Sequence, residues 1–270
     1  MPRLSVICVY DDKAILEARL LRSLRGQIAE YELVLVDNVE HQFHSASAAL
    51  NSGASKAVGD YLLFTHQDVS LETNSALEQL LETAETLPRM GVAGVAGAAV
   101  TAELGEVMSN MTHGNPPQKV GRITPSVPVL ALTVDECFFA VPRTVFSKFR
   151  FDESTCDDWH LYASDYCLTA QGQGYLTYVL PLRVHHQSGG RRTRAYYKTL
   201  GKLLDKHRPR NTTIHTTTGV WSTRFPPCAQ MGVGVAVWST RKICARIGVA
   251  NGRVTDALAR IGSLFYTPPW

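Results

Sequence analysis

No apolar run in this sequence approaches the ~18 uninterrupted residues that a membrane-spanning helix requires. No CxxC pair occurs either. The six cysteines (Cys8, Cys137, Cys156, Cys167, Cys228 and Cys244) are scattered, so neither a zinc site nor a disulfide framework is indicated. Charge of one sign is also missing. Lys and Arg number 27 against 24 Asp and Glu, a formal net charge of +3 with a pI near 8.5. That balance lacks the basic stripe of a nucleic-acid binder, although it suits a partner carrying phosphate. Met1-Pro2-Arg3 leads straight into an apolar run with no signal-peptide stretch before it, so the expectation is a cytoplasmic protein. No internal repeat is visible. What remains is a chain of 270 residues, 45% apolar and 19% charged, enough to bury one large core.

Leu4 to Val9 reads as a buried strand, and Lys13 to Arg25 follows with apolar residues at helical spacing (Ile15, Leu16, Leu20, Leu21, Leu24). The alternation continues with a strand at Glu32 to Val36, a helix at Ser45 to Val58, a strand at Tyr61 to Phe64 and a helix at Glu72 to Leu87. Near-continuous apolar strands alternating with helices predict an α/β fold, its central sheet mostly parallel and flanked by helices. Val92 to Val100 and Val129 to Val141 read as further strands, the second carrying Asp135-Glu136 midway, and Gly105 to Pro128 as loop or short hairpin. Tyr162 to Gln171 is helical in pattern, Tyr175 to Leu180 and Leu182 to His186 are short strands, and Thr193 to His207 is a basic amphipathic helix. The pattern weakens beyond Arg210, which divides the chain into a domain over residues 1–210 and an extension over 211–270. Within the extension, Thr240 to Leu264 is basic and apolar, a composition suited to an anionic membrane surface or to docking on the domain.

Ligands of such sheets gather at the carboxyl ends of the strands. The first three strands end in Tyr10-Asp11-Asp12, Asp37-Asn38 and His66-Gln67-Asp68. Asp and Asn are also ordinary turn and cap residues, but three polar ends in succession favour a ligand site. A cation such as Mg²⁺ or Mn²⁺ is held by carboxylate or imidazole together with phosphate oxygens. Asp68 is placed for that, with His186 or the adjacent His185 as a second ligand; neighbouring strand residues point to opposite faces, so one of the two faces the site. Asp135 and Glu136, an acidic pair within an apolar strand, need solvent or partners. Asp152-Glu153 and Asp157-Asp158 form a flexible acidic segment beside Trp159, which either stacks on a sugar face or is simply half-buried on a surface loop. Arg191, Arg192 and Arg194 follow a Ser-Gly-Gly loop, where they could clamp a diphosphate or simply lie in solvent.

The stretches YELVLVDN (31–38), SASAALNSGASKAVGDYLLFTHQDVSL (45–71), VDECFFAVPRTVF (134–146), FDE (151–153), SDYCL (164–168), GQGY (172–175) and VHHQSGG (184–190) together resemble family 2 glycosyltransferases. The likeness is strongest to the branch related to the streptomycin-biosynthesis-type glycosyltransferase domain, in which HQD stands where others have DxD. It covers about the first 210 to 220 residues. The resemblance implies a GT-A-type nucleotide-diphospho-sugar transferase fold and a hexosyltransferase-like enzyme, inverting and dependent on Mn²⁺ or Mg²⁺. It implies that Val9, Tyr10 and Asp37 line the nucleotide pocket with His66, Gln67 and Asp68, and that Asp68 is the retained metal ligand. Asp165 matches the general base of inverting relatives, with Ser164 where those carry an acidic neighbour. Asp135 and Glu136 fall where relatives carry acceptor-proximal residues and are the second choice for base or acceptor contact; Trp159 joins them as an acceptor contact by its chemistry, the acceptor being a glycan, a lipid-linked intermediate or a small molecule. Two other readings stay open: a non-catalytic nucleotide-sugar or carbohydrate binding module, and a sugar-phosphate nucleotidyltransferase. Tyr10-Asp11-Asp12-Lys13 argues against the second, which uses a glycine-rich basic loop after the first strand.

Overall fold

The computed structural model describes residues 2–100, 106–188 and 192–231 and the backbone of 266–267. The apolar run after Arg3 forms β1 (Leu4–Tyr10), flanked in parallel by β2 (Glu32–Asp37) and β3 (Tyr61–His66), with Val6 opposite both Leu33 and Leu63. β1 is apolar on both faces because helices cover both. Residues 13–24 form helix α1, α-helical at Lys13–Leu16 and Arg22–Leu24 and π-helical at Glu17–Leu21 between them. It lays Leu16, Leu20 and Leu24 on Leu4, Val6 and Cys8. Its start is capped by Asp12, whose Oδ1 accepts from the amides of Ala14 (2.8 Å) and Ile15 (3.0 Å). Helix α2 (Ala46–Ala54) packs on the opposite face, with Ala46, Leu50 and Ala54 against Ile7 and Val34. It sits close because Gly53 has no side chain: a Cβ there would lie 2.8 Å from methyls of Ile7 and Val36.

The chain continues through β4 (Val69–Leu71), α3 (Ala76–Thr86), β5 (Met90–Gly94), β6 (Ala96–Ala99), β7 (Val107–Ser109), β8 (Met111–His113) and β9 (Gln118–Lys119). It then forms β10 (Val129–Val134), β11 (Phe138–Pro142), α4 (Arg143–Phe146), α5 (Tyr162–Gly172), β12 (Leu176–Val179), β13 (Val184–His186) and α6 (Arg194–His207). A hairpin of β14 (Thr213–Thr216) and β15 (Gly219–Ser222) follows, joined by β16 (Tyr266–Thr267). The main sheet has the order β2-β1-β3-β11-β5-β12-β10-β6-β7, and a second sheet has the order β4-β13-β8-β9.

The α/β class is as expected, but the main sheet is mixed rather than mostly parallel. β11 runs antiparallel to both β3 and β5, and β10 antiparallel to β12, which is itself parallel to β5. β10 and β11 therefore point the same way. The single strand read over Val129 to Val141 is in fact interrupted at residues 135–137, where the chain steps from beside β12 to beside β3. That step takes Asp135 and Glu136 out of the ladder, which is how an acidic pair survives inside an apolar run.

Residues 211–231 are not loosely attached. Ile214 and Trp221 of the hairpin are buried in one apolar cluster with Leu161 and Leu168 of the α5 region and Leu200, Leu203 and Leu204 of α6. A boundary at 210 thus divides elements that share a core. The basic stretch 240–264 lies outside the described residues, and among those described no helix is long and apolar enough to cross a membrane.

Candidate active site

β1, β2 and β3 end side by side, and a cavity of about 550 Å³ opens there. Val9, Tyr10, His66, Gln67, Asp68 and Trp159 all line it. Asp37 is not among the lining residues but is tied to one of them: its carboxylate accepts from the Tyr10 hydroxyl (2.7 Å) and from the Val39 amide (2.9 Å). Those bonds, the Tyr10 bond foremost, hold its carboxyl below the ordinary carboxylate range. Gln67 joins two of the strand ends, its Oε1 accepting from the amides of Asp11 (3.1 Å) and Asp12 (3.0 Å).

The floor of the cavity is built by strand pairing. β4 follows directly on His66-Gln67-Asp68 and pairs antiparallel with β13, bringing His186 opposite Val69 and so beside Asp68. His186 Nε2 lies 3.2 Å from Asp68 Oδ1 and 3.3 Å from His66 Nδ1. His185, on the other face of β13, bonds instead to the Thr112 hydroxyl through Nδ1 at 3.0 Å, so His186 is the histidine that faces the site. Ser188 closes the group: its amide donates to Asp68 Oδ2 (3.1 Å) and its hydroxyl lies 3.1 Å from His186 Nε2. His66, which stands at the first position of the triplet, meets the Tyr162 hydroxyl through Nε2 (3.0 Å) and turns Nδ1 to the centre of the group.

One ligand atom each from His66, Asp68 and His186 lies within 4.8 Å of the others. Neighbouring ligands of an ion bound at about 2.1 Å stand about 3 Å apart in an octahedron, close to the spacings found here. The three residues therefore fit a shared divalent cation. Two imidazoles and one carboxylate form a donor set that suits transition ions better than Mg²⁺. Burial pushes the Asp68 carboxyl up, but the bond and charge of His186, with His66 and Ser188, outweigh it and hold the group ionised well below its ordinary range. His66 is driven down to about 4 by burial and by His186. Burial also pulls His186 down, yet the bond to Asp68 and its charge leave it above the ordinary histidine value.

Two expected residues stand elsewhere. Asp165 does not line the cavity: its side chain is 3% exposed, with Oδ2 on Lys206 Nζ (2.8 Å) and Oδ1 on His207 Nε2 (2.8 Å). Both oxygens are bonded to α6 and the side chain is almost wholly buried away from the cavity, so the carboxylate serves as a strut between α5 and α6. Glu136 turns towards the start of α5, where its carboxyl lies near the backbone of Leu161 and Tyr162. Burial, reinforced by the charge of Asp135, raises its carboxyl well above the ordinary range, and Oε1 has no partner among the described residues. Asp135 does not line the cavity either, but it lies near the metal-ligand group. It is half-buried at the end of β10, and its charge is felt by both His66 and His186.

The acidic segment is tied to α6. Asp157 pairs with Lys198 and Lys202, and Asp152 with Lys206, so one face of α6 holds it down. Gly189, Gly190 and Arg191 lie outside the described residues. Asn38, His41, Tyr162 and Ser188 also line the cavity. Ser188 lies within the VHHQSGG stretch and Asn38 within YELVLVDN, so membership of a motif was the available signal for both, though the sequence assigns neither a role of its own. Tyr162 had none, because its contact to His66 spans 96 residues of chain.

Solved structures share this architecture. A mannosyltransferase from Pyrobaculum calidifontis in complex with GDP-Man and Mn²⁺ superposes with a TM-score of 0.51 at 13% identity, covering 78% of this chain and 65% of that one. GalNAc-T7 with UDP, GalNAc and Mn²⁺ gives 0.53 at 14% identity, covering 75% and 48%. S. aureus TarS 1-349 in complex with UDP-GlcNAc gives 0.52 at 13% identity, covering 76% and 66%. The fold is thus of the GT-A glycosyltransferase type, and the chain spans about half to two thirds of the length of these structures. No curated protein matches the sequence. The model of the glycosyltransferase-like family matches residues 5–207, most of the chain and every residue of the cavity floor, and the protein belongs to that family.

Proposed function

We propose that the protein transfers a sugar from a nucleotide-sugar donor to an acceptor hydroxyl, with inversion at the anomeric carbon and with Mn²⁺ as the assisting ion. The observation that carries this reading is the convergence of His66, Asp68 and His186 on the floor of a cavity at the carboxyl ends of parallel strands. Support comes from the nucleotides and sugars bound by the structural relatives: GDP-Man, UDP with GalNAc, and UDP-GlcNAc. The HQD triplet, as in the streptomycin-type branch, supports it further.

Val9, Tyr10 and Asp37 border the nucleotide end. His66, Asp68 and His186 would hold the ion, which supplies positive charge against the departing diphosphate. On the acceptor side, Trp159 offers an exposed ring to a sugar face, and Asp135 takes the role that Asp165 cannot fill. The acceptor oxygen bonds to the anomeric carbon from the face opposite the diphosphate as its proton passes to the Asp135 carboxylate. The bond from that carbon to the diphosphate oxygen breaks, and the nucleoside diphosphate leaves with the electron pair.

The test is to incubate the protein with UDP- and GDP-sugars, methyl glycosides as acceptors and Mn²⁺, and to follow products by mass spectrometry. Consumption of one donor class only when the divalent ion is present is the expected result; a folded protein that binds and consumes none of the donors contradicts the reading. A pH dependence follows as well. A protonated imidazole cannot bind a metal, and His186 is the ligand whose protonated form persists above the ordinary histidine value, whereas His66 stays neutral down to about 4. Mn²⁺ affinity should therefore fall by about tenfold per pH unit once the medium is more acidic than the raised pKa of His186. Electron paramagnetic resonance of free Mn²⁺ between pH 8 and 5 measures this, and a constant affinity across that range would argue against His186 as a ligand.

A further inference from the structure

The β14–β15 hairpin lies beyond the residues matched by the family model, yet its turn reaches the site. Thr217 Oγ1 donates to Asp135 Oδ2 at 2.9 Å, while Asp135 Oδ1 accepts from the Cys137 amide at 3.1 Å. The carboxylate is thus gripped from both sides, once by its own loop and once by the hairpin. The turn itself is fixed. Thr216 Oγ1 is bonded to Thr218 Oγ1 (2.9 Å) and to the Gly219 carbonyl (3.0 Å), and Thr218 also meets the Tyr196 hydroxyl. Behind it, the Thr133 hydroxyl donates to the His215 carbonyl at 2.7 Å, tying the hairpin to β10 one residue before Val134.

Asp135 is close to the metal-ligand group through two neighbours on its loop. The His66 amide donates to the Cys137 carbonyl at 2.9 Å, and the Tyr162 hydroxyl, which lines the cavity, lies 3.3 Å from the Glu136 carbonyl. Thr217 and Thr218 are half-buried, as Asp135 is, whereas Thr216 is buried. A half-buried carboxylate held by a threonine hydroxyl can still exchange hydrogen bonds with a polyhydroxyl acceptor.

We propose that the Thr216-Thr217-Thr218 turn completes the acceptor side of the site, with Thr217 a positioning residue that orients the Asp135 carboxylate towards a sugar-type acceptor hydroxyl. This rests on the reading of the protein as a sugar transferase with Asp135 as base. A single hydrogen bond matters here because base catalysis depends on geometry, and a carboxylate free to rotate spends less time aligned with the proton it must accept.

The experiment compares full-length wild type, Thr217→Val, Thr217→Ser, Asp135→Asn and Thr133→Val. Donor affinity is measured by calorimetry with UDP-GlcNAc, UDP-GalNAc and GDP-mannose in Mn²⁺, and kcat and KM from nucleoside diphosphate release with methyl glycosides as acceptors. Thr217→Val is expected to lower turnover roughly 10-fold and Asp135→Asn roughly 100-fold, with donor Kd within about twofold of wild type and Thr217→Ser restoring most of the loss. Thr133→Val removes the strap behind the hairpin and reports what loosening alone does to Tm. Wild-type turnover in Thr217→Val overturns the proposal, as does a loss in Thr217→Val that tracks Tm and is not rescued by serine. If the wild type binds none of the three nucleotide sugars, the transferase reading fails and this proposal with it, an outcome distinct from a working enzyme indifferent to Thr217.

Discussion

Asp68→Ala is expected to abolish metal-dependent nucleotide binding while leaving the protein folded. Asp68 is the one anionic member of the group, and its two oxygens serve different partners: Oδ1 faces His186 and Oδ2 accepts from the Ser188 amide. Its removal takes away a negative charge and the support for the backbone at Ser188. Loss of an outer-sphere partner alone typically costs 10- to 100-fold in metal affinity, so loss of the carboxylate ligand should cost on the order of 100-fold or more. The two histidines that remain are neutral donors. Asp68→Asn should behave similarly, because the amide keeps the shape but not the charge. Calorimetric titration of Mn²⁺ in the presence of UDP or GDP checks this, and an unchanged Mn²⁺ requirement in Asp68→Ala would move the metal away from the HQD triplet.

The second large effect concerns stability. Asp165→Ala leaves Lys206 and His207 facing an empty, mostly buried site, since the Asp165 side chain is 3% exposed and those of His207 and Lys206 are 7% and 28% exposed. Breaking a buried pair by removing one partner costs about 3–5 kcal/mol, and the partial exposure of Lys206 puts this case near the lower end. For a chain of this size about 3 kcal/mol corresponds to a fall in Tm of roughly 6–12 °C. Lys206 also reaches Asp152 at 2.9 Å, so the loss spreads to the segment leading into α5. A thermal melt checks the prediction, and a Tm within about 2 °C of wild type would contradict the structural role. The consequence for any activity assay is direct. Reduced turnover in an Asp165 variant reports on the α5–α6 joint unless folding and donor affinity are measured beside it.

The parts of the site that were legible in the sequence are those fixed by local pattern. Strand ends show where an apolar run stops, which located Tyr10, Asp37 and His66-Gln67-Asp68 at one edge of the sheet. The period of two along β13 limited the residue facing the cavity to one of His185 and His186, and the pairing of β13 with β4 then decided between them. The parts that were not legible depend on contacts between distant residues. Asp165 resembles a catalytic aspartate by its place in SDYCL, but its role is set by Lys206 and His207, 41 and 42 residues away. The acidic segment at 152–158 and the basic helix at 194–207 read separately as a flexible loop and a solvated face; each neutralises the other once α6 folds back. The step at 135–137 looked like the middle of one strand because the residues around it are apolar on either side of the break.

The central claim is that the cavity at the ends of β1, β2 and β3 binds a nucleotide sugar through an ion held by His66, Asp68 and His186. Its most direct test is calorimetric titration of the wild-type protein with UDP-GlcNAc, UDP-GalNAc and GDP-mannose, each with Mn²⁺ and with the ion removed by chelation. Binding of one nucleotide class that weakens about tenfold or more without Mn²⁺ is the expected result. Binding of equal strength with and without the ion, or no binding of any of the three by the folded protein, would contradict it.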